Sequence, residues 1–138
     1  MIYEFQLETP REDYINITGQ VQTALRKSGI QDGMCVVFCP HTTAGITINE
    51  NADPDVVEDM LFALSKMYPD RLEYKHAEGN TTAHLKAGAI GSSVTMIIDQ
   101  GKLILGTWQG IYFCEFDGPR SRKFYVKILL YVILFFLQ

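Results

Sequence analysis

VTMIIDQGKLILGTWQGIYFCEF, residues 94–116, is three apolar runs separated by turn residues. Val94 to Ile98 reads as a strand. Asp99-Gln100-Gly101-Lys102 supplies a hairpin turn, because glycine tolerates the positive φ that such tight loops require. Leu103 to Leu105 returns as the partner strand. Gly106 and Gly110 flank Trp108, which predicts a bend or bulge before the sheet continues through Ile111–Phe116. Strands joined this closely pair antiparallel, since a parallel pair needs a crossover of about a dozen residues.

The same reading extends in both directions. Downstream, Asp117-Gly118-Pro119-Arg120 is a turn and Phe124 onward is the last strand. Ile128 to Leu137 is unbroken apolar sequence, half of the roughly 20 residues a membrane helix needs, and rich in Ile, Val, Phe and Tyr. It reads as a buried final strand. Its end, residues 130–138, is apolar enough to pack on a neighbour or to form an atypical extension. Upstream, residues 2–8 read as a strand and Thr18–Ser28 as a helix burying Val21, Ala24 and Leu25, stopped by Gly29. Gln31-Asp32-Gly33 is a turn, and Met34–Cys39 and Thr42–Asn49 are strands. Asp53 is a suitable N-cap and Pro54 suits the first helical position. Val57, Met60, Leu61, Leu64 and Met67 then recur at helical spacing until Tyr68-Pro69-Asp70. Residues 74–80 are a loop. Thr81 or Thr82 caps a short helix through Ala89, stopped by Gly91. The chain therefore reads as one α+β domain over residues 1–138, with largely antiparallel β-sheets covered by two or three helices.

Composition narrows the function. The formal charge is −4 over 138 residues, so the broad basic field of a nucleic-acid binder is missing. Neither a targeting segment nor a membrane span is expected. Three cysteines, an odd number, point to a reducing, cytoplasmic setting.

Polar residues fall into four groups. Pro40-His41-Thr42-Thr43 follows a strand, where loops carry function, and Asn49-Glu50-Asn51 lies a little further on. Asp53, Asp55, Glu58 and Asp59 crowd the first turn of a helix. The helix dipole favours them there, yet Asp55 and Asp59 repel, so a magnesium-type ion held by Asp53 and Asp55 is one alternative. Tyr74-Lys75-His76-Ala77-Glu78-Gly79-Asn80, then His84, bracket the start of another helix. Helix N-termini bind anions, and a neutral imidazole oriented by a carboxylate such as Glu78 ligates metals. Finally, Trp108 and Gln109 are candidates to wall a pocket, and Arg120 is a candidate clamp for phosphate or carboxylate. A surface ion pair with Asp117 is the plainer alternative for Arg120.

Three long blocks carry a more specific signal. PHTTAGITINENADPDVVEDM, YKHAEGNTTAHLKAGAIGSSVT and GKLILGTWQGIYFCEFDGPRSRK resemble, in order, the signature blocks of the YjbQ-like family over about residues 15–128. The resemblance implies an α+β fold with antiparallel sheets, a compact homotrimer and a secondary thiamine-phosphate synthase activity. That reaction joins a pyrimidine methyl pyrophosphate to a thiazole phosphate and releases pyrophosphate. The family's polar set falls on His41, Asn49, Glu50, Asn51, Asp53, His76, Glu78, Asn80, His84, Gln109, Asp117 and Arg120. The apolar end of this chain departs from the family's short polar one.

The expectation is a small phosphorylated ligand, handled by His41, His76, His84 and Glu78 as acid–base or positioning groups. Asn49, Glu50, Asn51, Asn80, Trp108, Gln109 and Arg120 complete the binding set. Mg²⁺ or Zn²⁺ is the only cofactor expected, with no organic one. Two rivals are a zinc-dependent hydrolase using the three histidines and a non-catalytic trimeric metabolite-binding protein.

Overall fold

A computed structural model describes residues 1–133. Its eleven elements are β1 (Ile2–Thr9), β2 (Asp13–Asn16), α1 (Thr18–Ser28), β3 (Gly33–Phe38), β4 (Ala44–Glu50), α2 (Pro54–Met67), α3 (Thr81–Ile90), β5 (Ser93–Asp99), β6 (Lys102–Leu103), β7 (Gln109–Glu115) and β8 (Arg120–Leu130). They form a five-stranded sheet in the order β1-β8-β3-β5-β6 and a three-stranded sheet in the order β2-β7-β4. Every ladder is antiparallel.

Strand alternation explains how the sheets face each other. On β8, Phe124, Val126 and Ile128 are buried while Lys123, Tyr125 and Lys127 are half-buried on the other face. On β7, Ile111 and Phe113 point toward β8's buried side, and α1 adds Val21, Ala24 and Leu25 to this main core. Each such side chain, fully buried, contributes about 1.5–3 kcal/mol. The opposite face of β7 presents Tyr112, Cys114 and Phe116, covered by Ala83 and Ala87 of α3 and by Val57, Met60, Leu61 and Leu64 of α2. With α1 packed into the main core, the order of layers is sheet, sheet, then α2 and α3. Gly45 on β4 makes the last packing possible. A Cβ there would meet the Gly91 carbonyl oxygen at 2.5 Å, at the spot where Ile46 N–H donates to that oxygen.

The helices obey their sequence signals. Asp53 accepts a hydrogen bond from the Asp55 N–H at 2.9 Å, with Pro54 in the first turn, and Gly29 caps α1 at φ 68°. Other boundaries move. Asn80, rather than Thr81 or Thr82, precedes α3 as its cap residue. Strand β4 starts at Ala44, and Gly33, read as part of a turn, already belongs to β3. Strand β6 is two residues long; Ile104 still donates its N–H to the Ile97 carbonyl at 2.9 Å, but neither it nor Leu105 is strand, and the Trp108 bend precedes β7 rather than interrupting it. Strand β2 went unread, because four residues of mixed polarity show no clear alternation. The final strand runs from Arg120 to Leu130; residues 131–133 are not strand, and the rest of the apolar end, residues 134–138, lies outside the described residues.

Candidate functional site

At one end of the space between the sheets, core phase meets polar side chains. Glu115 follows Ile111 and Phe113 in alternation on β7, and Arg122 precedes Phe124 and Val126 on β8. Glu115 is 0% exposed and Arg122 6%. A charge buried this deeply requires a partner. Arg122 donates from Nε to Glu115 Oε1 at 2.7 Å and from Nη2 to Oε2 at 2.6 Å. The same carboxylate accepts from Thr9 Oγ1 at 2.5 Å and from the Asp117 N–H at 3.0 Å. Burial alone would raise the Glu115 carboxyl, but these hydrogen bonds and the guanidinium charge hold it below the usual carboxylate range.

Above this pair opens a cleft of about 400 Å³ lined by Pro40, His41, Thr42, Thr43, His76, Glu78, Asn80, His84, Arg120 and Arg122. Four structural pieces build it. The loop after β3 brings His41, whose ring meets Phe113 edge-on at 6.4 Å. The turn before α3, with Gly79 at φ 77°, brings His76 and Glu78. The first turn of α3 brings His84, and its ring stands edge-on to His76 at 5.3 Å. The start of β8 brings the two arginines.

Each polar group has a defined local environment. His41 Nε2 lies 3.1 Å from both the backbone N and O of Lys123, which leaves Nδ1 for the cleft. Burial first, and the Arg122 charge second, lower the His41 pKa, so this ring is neutral near pH 7. Among the described residues, neither His76 nor His84 has a hydrogen-bonded ring nitrogen. Arg120 turns its guanidinium to Asp117, with Nη2 2.8 Å from Oδ2, and stands 3.6 Å from Glu78. Asn80 Nδ2 donates to Glu78 and to Asp117, each at 2.8 Å. Burial would raise Asp117, but Asn80 and Arg120 hold it below the usual range.

The remaining expected site residues lie elsewhere. Asn49 and Glu50 end β4, six residues and so about 20 Å from the His41 end. Asn51 and Asp53 line a separate crevice of about 400 Å³ with Tyr14, Tyr112, Val57 and Leu61. Asp53 is occupied in capping α2, where Asp55 is exposed. Gln109 accepts from the Gly106 N–H at 2.8 Å, and Trp108 is 63% exposed and does not line the histidine cleft. Among the described residues, no three His, Cys, Asp or Glu side chains stand at metal-holding separation. The three histidines therefore share a cleft without forming a preformed zinc triad among the described residues. The three cysteines are buried and free. Burial pushes the Cys35 and Cys39 thiols up to about 11. No helix among the described residues is long and apolar enough to cross a membrane.

Sequence reasoning gave Arg122 no role, and Glu115 went unnoticed as a site residue. The signal was present for one of them: Arg122 occupies the buried phase of β8, where an arginine implies a paired, functional or structural charge.

The fold and site together define an α+β protein of two packed antiparallel sheets, with α2 and α3 on one outer face, α1 in the main core, and a histidine- and arginine-lined cleft at one end. The family described as UPF0047 protein YjbQ-like matches residues 3–130, and the chain belongs to that family. It is 53% identical over 131 residues to UPF0047 protein YugU of Bacillus subtilis, covering 94% of this chain and 99% of that one. A crystal structure of a YjbQ/UPF0047 family protein from Clostridium acetobutylicum is 60% identical, with TM-score 0.90 and coverage of 92% and 99%. A YjbQ-like protein of unknown function from Sulfolobus solfataricus superposes with TM-score 0.90 at 35% identity, covering 95% and 97%.

Proposed function

We propose that the cleft binds a small phosphorylated ligand and supports a thiamine-phosphate-synthase-type transfer. The observation that carries this reading is the convergence of His41, His76, His84, Arg120 and Arg122 on one polar cavity from segments far apart in the chain. Two arginines reach the lining, each fixed by a carboxylate, Arg122 by Glu115 and Arg120 by Asp117. A leaving pyrophosphate is stabilised by donors aimed where its charge develops, and fixed arginines with unpartnered imidazoles suit that need. Mg²⁺, where it takes part, would arrive on the pyrophosphate rather than on a protein cage. His76 and His84, with free ring nitrogens, are the groups to position the diphosphate or exchange a proton with it.

The test is the purified full chain with a pyrimidine methyl pyrophosphate, a thiazole phosphate and Mg²⁺. Turnover that falls at least tenfold in both His76→Ala and His84→Ala supports the reading. Unchanged turnover in both variants defeats it. Saturable binding without turnover would favour the non-catalytic metabolite-binding alternative. Stoichiometric zinc, lost on replacement of His76 or His84, would favour the hydrolase, which needs side chains to move to complete its ligand set.

A homotrimer belongs to the same proposal. The outer face of the five-stranded sheet supports it, because Ile2, Met34, Phe38, Ile97 and Leu129 are all more than 40% exposed there. Val36, Phe38, Ile2, Tyr125 and Lys127 form an apolar hollow on that face. Contiguous exposed apolar surface of this kind marks association sites. Light scattering that shows a trimer, dissociated by Phe38→Lys with Ile97→Lys, is the expected result. A monomer at every concentration would rule the trimer out.

A further inference from the structure

The proposed ligand needs an anchor, and Arg120, the arginine that sequence favours, is poorly placed to be one. Its guanidinium is engaged by the Asp117 side chain and carbonyl, at 2.8 and 2.7 Å, and sits 45% exposed near Glu78. Arg122 is different. Its Nε and Nη2 are locked to Glu115, and Nη2 also donates to Thr43 Oγ1 at 2.8 Å. Among the described residues its Nη1 has no hydrogen-bond partner, yet it is not among the buried polar atoms left unpaired, so it keeps access to solvent. Arg122 lines the cleft. The accessible edge of this otherwise sealed side chain is therefore the Nη1 edge, presented at the cleft floor.

The neighbouring loop adds further donors. Pro40 has no N–H to offer, and the Thr42 and Thr43 N–H groups take no backbone acceptor among the described residues. The Thr43 carbonyl is fixed by the Phe116 N–H at 3.1 Å, which holds the loop rigid against β7. His41, on the same loop, keeps Nδ1 for the cleft. A guanidinium edge with backbone N–H groups on a fixed loop suits an oxyanion.

We propose that Arg122 Nη1, with the Thr42 and Thr43 N–H groups, forms an oxyanion subsite on the cleft floor that holds a tetrahedral phosphoryl group, while Arg120 shapes the rim. This rests on the reading that the cleft takes a phosphorylated ligand. Because Arg122 is already clamped, it loses no side-chain freedom when the anion arrives, which favours tight and geometrically selective binding. Donors on more than one side select a tetrahedral dianion over a planar monoanion. Phosphate is thus the expected ligand class, and acetate a poor one.

The experiment titrates the full chain with inorganic phosphate and, separately, with acetate, by calorimetry and by ¹⁵N spectra of arginine side chains. Arg122→Met is paired with Glu115→Gln so that no buried carboxylate is stranded. Loss of one charge-assisted contact predicts about tenfold or more weaker phosphate binding in this double variant, and less than about threefold in Arg120→Gln. In the unmodified protein, the Arg122 guanidinium resonances should shift with phosphate and not with acetate. Failure of the unmodified chain to bind phosphate would sink the phosphorylated-ligand reading itself. Normal phosphate binding accompanied by shifts at Arg120 alone, or a folded double variant with undiminished affinity, would overturn only the Arg122 subsite. The resonance assay decides the matter even where the double variant does not fold.

Discussion

Arg122→Met is the most revealing single perturbation. It keeps an unbranched apolar stem and removes the guanidinium. Glu115, 0% exposed, would keep its hydrogen bonds from Thr9 and the Asp117 N–H but lose both bonds from Arg122. Breaking a buried pair from one side costs about 3–5 kcal/mol, because an uncompensated charge stays in the interior. That is a large share of the roughly 5–15 kcal/mol that holds a domain folded. With an unfolding entropy of about 2.1 cal/mol/K per residue over 138 residues, the melting temperature should fall by roughly 10–17 °C. Adding Glu115→Gln should restore most of the loss, since a neutral amide no longer needs the counter-charge. The assay is urea unfolding of the unmodified chain, both single variants and the double variant at one protein concentration near pH 7. The argument also fixes a pH signature. In Arg122→Met nothing but hydrogen bonds opposes the effect of burial on Glu115, so its carboxyl protonates more readily and the defect should shrink as pH falls toward 4.5. A cost below about 1 kcal/mol for Arg122→Met, or no relief from Glu115→Gln, would refute the buried-pair reasoning.

Other predictions are smaller. His76→Ala should change stability by less than about 0.5 kcal/mol, because its ring is exposed and without a hydrogen-bonding partner, while phosphate binding weakens severalfold. Asp53→Ala should cost about 1 kcal/mol through the lost cap of α2 and leave phosphate binding unchanged, because Asp53 lines a separate crevice and not the cleft. Stability should fall in two stages on acidification. His41, with its pKa lowered in the fold, contributes stability that is complete above the ordinary histidine value of 6.5 and lost as pH drops through its folded value. Glu115 and Asp117, also lowered, contribute above 4.5 and 3.8 and lose that contribution below. Urea midpoints from pH 8 to 3 check both stages, and His41→Gln should remove the first.

The sequence made some features plain and concealed others for physical reasons. Asp53-Pro54 and Gly29 announce helix ends because caps are local chemistry, and both hold at the residue. The antiparallel ladders follow from short connections. Strand β2 escaped because its stability comes from pairing with β7, not from its own four residues. Convergence of the three histidines depends on tertiary geometry that no local pattern encodes, and the cleft brings them together. Asn49, Glu50, Asn51 and Gln109 share the family's blocks with those histidines but pair across β4 and β7 at the far end, where Glu50 faces Gln109. Nearness in a motif says little about nearness along a strand that advances about 3.3 Å per residue. Arg122 was overlooked because charge near a turn suggests a solvated surface, whereas its phase with Phe124 shows it pointing inward.

One titration bears most directly on whether this cleft is a site at all. Histidine side-chain ¹⁵N spectra of the full chain, recorded against increasing inorganic pyrophosphate, should show the rings of His41, His76 and His84 shifting together along a single saturating curve. Three rings unmoved by pyrophosphate, or rings responding with unrelated affinities, would show that their shared cavity holds no such anion.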